Sequence, residues 1–242
     1  MNRNISEAAF VEALTSGVDR TRNLLARLTD YHGGAVKTEY LLTADVAREF
    51  IERDYEVRVE CKNRELIGGY IAAPGMNARK ILKGKRTDVA IVESLYPLGM
   101  IELKIRVTSL RHIVGDLNKL TATMACLKPE HARNVIGASV FEVHASDPRH
   151  YTEAQYLNAA QRIEKRIADQ LKTYALTKPA YEFKWVALQA DTAGVTRREV
   201  EYDEDGGTWG QHGHATRYHA ILVRSLTKPT EARLPFQRPP AS

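Results

Sequence analysis

Asp88, Glu102 and Lys104 are the residues of this chain whose types and spacing could do chemistry. Two carboxylates can share a divalent cation that takes oxygen ligands and completes its shell with water and substrate oxygens. A lysine beside such an ion can orient or deprotonate a water and offset negative charge as it develops. Phosphodiester hydrolysis needs that combination: a positioned water, relief of charge on the phosphate and stabilisation of the leaving oxygen. The cation this set implies is Mg2+, with Mn2+ able to substitute.

The three residues meet only if the backbone brings them together. The stretch 86–106, RTDVAIVESLYPLGMIELKIR, reads as two strands, Arg86–Glu93 and 100–107, with Tyr96-Pro97-Leu98-Gly99 as the turn between them. On the second strand Met100, Glu102, Lys104 and Arg106 share one face, and Ile101, Leu103, Ile105 and Val107 share the other. A turn centred on Tyr96 sets Asp88 opposite Lys104 and diagonal to Glu102, on one face. A slip of one residue would turn Asp88 away from both.

The flanking chain supplies a scaffold. Apolar spacing predicts helices over 6–28, with Ser6 as N-cap and Gly17 weakening the middle, and over 38–53, with Glu39 in the first turn. Glu49 and Glu52 on that second helix read as surface charges. The run 55–62, YEVRVECK, alternates as a half-buried strand. After the hairpin come a helix over 110–127 closed by Pro129, an apolar strand over 134–144, and the longest helix over 152–175. On that helix Glu164 is expected to face outward among Arg162, Lys165 and Arg166. Strands over 182–189 and 219–226 follow, separated by an acidic, Gly- and His-rich stretch, as parts of a long hairpin. The order α-α-β-β-β-α-β-α-β-β predicts an α/β domain whose mixed central sheet is flanked by helices.

Composition bounds the function without choosing it. The 242 residues are 43% hydrophobic and 27% charged, ordinary for a globular protein with a sizeable core. No apolar run approaches the ~20 residues that span a bilayer, and the N-terminus lacks an apolar signal core, so a cytoplasmic protein is expected. Cys61 and Cys126 form no metal spacing and read as small core residues of a reducing compartment. A net charge of +5 suits a polyanionic partner. The basic run Arg79, Lys80, Lys83, Lys85 and Arg86 leads straight into the strand bearing Asp88, where a phosphate backbone would approach.

These features together resemble the PD-(D/E)xK nuclease superfamily, whose restriction-endonuclease-like core runs helix, three-stranded meander, helix, strand. The resemblance covers roughly residues 38–144. Asp88 matches the motif aspartate, Glu102-Leu103-Lys104 matches (D/E)-x-K, and Glu39 matches the helical glutamate that many members direct at the metal; Thr87 stands where the motif usually has proline. The resemblance implies a Mg2+-dependent endonuclease on DNA rather than RNA. Asp88, Glu102 and Glu39 would be metal ligands, with Lys104 beside the attacking water. Residues 1–37 would precede the core as a helical segment, 145–230 would extend it by a helix and strands, and 231–242 would be a Pro-rich tail. Cutting both strands of a duplex is simplest with two related sites, so a homodimer is an option for its assembly. The alternative is a catalytically inactive nucleic-acid-binding or assembly module on the same fold.

Other motifs compete less well. Asp116 and Lys119, on the helix after the motif, could support the site, although the same residues suit a helix's solvated face. His212, His214 and His219 beside Trp209 match no zinc spacing and gain no cysteine. Asp203-Glu204-Asp205-Gly206-Gly207 lacks the ligand positions of a calcium loop and reads as an acidic turn. There is no phosphate-binding GxxxxGK[ST] loop and no cysteine set for an iron–sulfur cluster.

Overall fold

The structure, a computed structural model, describes residues 4–29, 38–68, 71–94, 96–147, 152–188, 192–200 and 208–226. The acidic turn at 203–207, the tail at 231–242 and the side chains of His212, His214 and Trp209 lie outside the described part.

Two helices open the chain, α1 (Glu7–Thr29) and α2 (Thr38–Ile51). Ser6 caps α1, its hydroxyl accepting the Ala9 N–H at 3.1 Å. Gly17 does more than weaken α1. A Cβ there would lie 2.8 Å from the Val46 backbone, so the missing side chain is what lets the two helices cross closely. Glu49 is not a surface charge. It is buried between Arg20 and Arg53, whose guanidiniums approach it at 2.5 and 2.6 Å. Burial pushes its carboxyl up, but the two arginines outweigh that and hold it below the usual range.

The sheet follows. Strands β1 (Glu56–Lys62), β2 (Arg86–Glu93) and β3 (Tyr96–Lys104) form an antiparallel meander, with the one-turn helix α3 (Ala78–Ile81) between β1 and β2. Helix α4 (Val114–Ala125) and the short α5 (Pro129–Ala132) then lead into β4 (Ile136–Asp147), which pairs parallel with β3. Pro129 begins α5 at its N-terminal turn rather than simply closing α4. Helix α6 (Glu153–Leu176) is opened by a capping box between Thr152 and Gln155. It precedes β5 (Tyr181–Ala187), β6 (Thr192–Val200) and β7 (Thr208–Ser225). Among the described residues the sheet has seven strands in the order β1-β2-β3-β4-β7-β5, with β6 pairing β7 beside β5. The expected α/β architecture with a mixed, helix-flanked sheet is what the chain adopts. The final strand is far longer than 219–226, because β7 pairs first with β6 and then with β5 along one edge while β4 lines the other.

Two apolar layers sandwich the sheet. Phe10, Leu14, Val46 and Phe50 of α1 and α2 pack on Val89, Ile91, Ile101 and Leu103. On the other face Leu117, Leu120 and Met124 of α4 and Tyr156, Ala160, Ile167 and Leu171 of α6 pack on Ala90, Met100, Phe141 and Ile221. Glu164, expected to face outward, turns toward β7 instead. It meets Arg217 at 2.8 Å and His219 Nε2 at 2.7 Å, tying α6 to the sheet.

The hairpin differs in detail from its sequence reading. Tyr96–Gly99 is not the turn but the first part of β3, and the reversal lies around Ser94, which adopts φ 59°. β3 stops at Lys104, because Arg106 takes φ 55° and breaks the alternation. Val107 is thereby turned into the core on the α4 side, with Met100 rather than against it.

Candidate metal centre

Asp88 and Glu102 are brought together by a β-bulge. At the turn the pairs are Glu93↔Tyr96 and Val92↔Pro97; continued unchanged, that register would set Asp88 across from Ile101, on the wrong face. Leu98 is the extra residue. Beyond it the pairs become Ile91↔Gly99, Ala90↔Met100 and Val89↔Ile101, so the next step sets Asp88 opposite Glu102. The sequence reading placed Asp88 opposite Lys104; the register differs by two residues, and the shared face survives. Directly opposed residues have Cβ atoms about 4.5–5.5 Å apart, close enough for two carboxylates to share an ion. Gly99 secures this segment. A Cβ there would lie 2.6 Å from the Phe10 ring and 2.8 Å from Ile91, so α1 seats directly on the strand.

Asp88 also clips the hairpin. Its Oδ2 accepts the backbone N–H of Leu103 at 2.8 Å, replacing the ladder bond where strand pairing ends. That contact fixes the carboxylate beside the residue between Glu102 and Lys104.

Glu102 is buried, only 1% exposed. Its Oε2 is in close contact with Lys119 Nζ from α4. Its Oε1 is buried and has no hydrogen-bond partner among the described residues. Burial pushes the carboxyl up to about 9; Lys119 opposes that rise and the Asp88 carboxylate adds to it. A buried, unsatisfied carboxylate oxygen is costly unless something occupies it. Lys104 lies at the solvent-facing end of β3, 3.7 Å from Glu39 Oε1 in the first turn of α2. Asp116, one helical turn before Lys119, is 3.9 Å from it. Burial raises the Asp116 carboxyl, Lys119 and Lys104 pull it down, and Asp88 and Glu39 push it up again.

All four expected site residues, Asp88, Glu102, Lys104 and Glu39, therefore fall in one patch. Asp116 and Lys119 belong to it as well, more intimately than a solvated helix face would allow. Their i,i+3 spacing on the first helix after Lys104 was the available signal. Among the described residues, no group of three or more His, Cys, Asp or Glu side chains is close enough to hold a metal ion. A cation here would rest on two carboxylates, with water and substrate completing its shell, a coordination that Mg2+ commonly uses. The orphaned Glu102 Oε1 fits that role.

The other candidates fare differently. His219 is 2% exposed and committed to Glu164, with its ring against Phe141 and Trp185, which gives it a packing role. Cys61 and Cys126 are free and buried, as expected of core residues. In the basic run, Arg79, Lys80, Lys83 and Arg86 are exposed and Lys85 half-buried, and no contact ties them to Asp88 or Glu102 among the described residues. No described helix is long and apolar enough to cross a membrane.

Comparison with models of known protein families, with curated proteins and with solved structures finds no match for this chain.

Proposed function

We propose that this protein is a Mg2+-dependent nuclease, an endonuclease acting on DNA, built on a core that resembles the PD-(D/E)xK superfamily. One observation carries the reading. A bulge sets Asp88 opposite Glu102 on the face that also bears Lys104, and the inner oxygen of Glu102 has no partner among the described residues. The order α2, β1-β2-β3, α4, β4, with β3 and β4 parallel, agrees with the core the resemblance implies.

Asp88 and Glu102 would hold the ion, and Glu39 lies near enough to Lys104 to act through it. A bound Mg2+ supplies positive charge for the phosphate and the leaving oxygen. Asp88 stays positioned by the Leu103 N–H. Lys104, half-exposed at the mouth, orients the attacking water and offsets charge as it develops on the phosphate. Glu39 keeps the lysine ammonium directed at the site. Without a cation Glu102 keeps its proton at neutral pH with Lys119 against one oxygen; that proton is displaced when a cation binds, and Asp116 gives the lysine a second anchor when Glu102 is engaged.

The same lysine favours a second reading. Lys119 already occupies one oxygen of Glu102, the arrangement expected of a silent nucleic-acid-binding or assembly module. Purified protein mixed with plasmid, linear duplex, single-stranded DNA and RNA, each with Mg2+, Mn2+ or EDTA, separates the two. Nicking or cutting of DNA that stops in EDTA supports the nuclease. Binding with no divalent-dependent cleavage on any substrate identifies the silent module.

A further inference from the structure

The loop between the site and α4 forms a groove against α6 that no step of the proposed reaction uses. It leaves β3 directly after Lys104 and enters α4 two residues before Asp116, so it is anchored to the site at both ends. Val107 donates its N–H to the Glu142 carbonyl at 2.8 Å, and Leu110 donates its N–H to Gln170 Oε1 at 2.9 Å. Val107, Leu110 and Ile113 are buried, which fixes the polar residues between them.

The groove has a volume of about 340 Å³, and Thr108, Ser109, Arg111, Arg166 and Gln170 line it. Its polar side chains can all donate: two guanidiniums, two hydroxyls, and the amide NH2 that Gln170 keeps once its oxygen holds Leu110. The Ser109 hydroxyl has no partner among the described residues. No ion pair engages Arg111 or Arg166 among the described residues, whereas Arg20, Arg48, Arg53, Arg58 and Arg217 are all paired. A second depression of about 640 Å³ continues along α6, where Arg162 and Lys165 stand among amide side chains. No acid is among the described residues lining either one.

We infer that Arg111 and Arg166 form a phosphodiester subsite, and that a nucleic-acid strand entering the metal centre continues across it and along α6. Guanidinium forks match the paired oxygens of a phosphate, and contacts of this kind position a strand without reading its bases. The inference rests on the nuclease reading for the identity of its ligand. Its readout does not depend on cleavage.

The test is fluorescence anisotropy of labelled duplex and single-stranded oligonucleotides in EDTA, for wild type, Arg111→Ala/Arg166→Ala and Arg162→Ala/Lys165→Ala. Melting temperatures serve as the check on folding, and Arg111→Gln/Arg166→Gln provides a milder replacement. The expected result is about a 10-fold loss of affinity for the Arg111/Arg166 pair, with the slope of log affinity against log salt shallower by about 2, one phosphate for each arginine. The α6 pair should lose less. Wild-type affinity and slope in the Arg111/Arg166 variants overturn the subsite. So does a wild type that binds no oligonucleotide of either kind. A wild type that binds through these arginines but never cleaves with Mg2+ or Mn2+ keeps the subsite and removes the nuclease.

Discussion

Glu102 is where this molecule concentrates cost, since a carboxyl with one oxygen against Lys119 and the other without a hydrogen-bond partner among the described residues is an expensive thing to bury. Replacing it by Gln keeps the shape and removes the ability to ionise on a cation. That variant is expected to lose cleavage by at least about 100-fold while melting no lower than wild type. Asp88→Ala and Lys104→Ala should lose activity comparably, and Glu39→Ala only about 10-fold, because its contact runs through Lys104. Lys119→Met should cost on the order of 2 kcal/mol in the metal-free protein, read from chemical denaturation, because it strands the Glu102 carboxyl. A second buried acid, Glu142, has no such chemistry. It is 7% exposed, with His144 at 3.6 Å, and the Tyr218 hydroxyl and Arg106 nearby. Burial pushes its carboxyl up to about 7, partly opposed by Arg106. The folded state therefore holds this proton more tightly than the unfolded chain, and ionising it costs stability as pH rises. The penalty is absent below about pH 4.5, grows toward pH 7, and is fully present above that, up to about 3 kcal/mol. Glu142→Gln is expected to melt higher than wild type at pH 8 and equally at pH 4.5; equal melting at both would contradict this account of the group.

The β2–β3 hairpin shows what alternation alone can and cannot deliver. Period-two patterning located both strands and the face carrying Glu102 and Lys104, because side-chain direction is a local property. The bulge at Leu98 was not visible, since an extra residue in one strand leaves no mark on hydropathy. Its physical reasons are Pro97, which cannot donate in a regular ladder, and Gly99, where only hydrogen fits beneath Phe10. Arg106 hid its effect in the same way, by taking a left-handed conformation that reverses the pattern for Val107. Deleting Leu98 should remove the bulge yet leave Asp88 opposite Glu102, because Gly99 then follows Pro97 in one ladder, and cleavage should be retained; one alanine inserted between Gly99 and Met100 should set Ile101 opposite Asp88 and abolish it. Gly99→Val should lower stability by about 2–3 kcal/mol in chemical denaturation, since both the Phe10 ring and Ile91 stand in the way.

At the scale of the whole molecule, the helices α1 and α2 and the helices α4 and α6 press on opposite faces of one sheet, and the site opens where β3 ends between them. The chain order of these elements was legible because apolar periodicity and caps such as Ser6 and Thr152 are local signals. Long-range partners were not. Glu49 with Arg20, and Glu164 with His219, looked like surface charges on their own helices and became buried ties only once the chain had folded. The same limit applied to Lys119, whose partner lies 17 residues earlier on another element. The proposed hydrolysis depends on Asp88 and Glu102 holding one ion between them. Electron paramagnetic resonance of Mn2+ titrated into wild type, Asp88→Ala and Glu102→Gln tests that directly. One bound Mn2+ per chain in the wild type, lost in both variants with melting temperatures retained, is the predicted result. An unchanged bound ion in either variant, or none in the wild type, would contradict it.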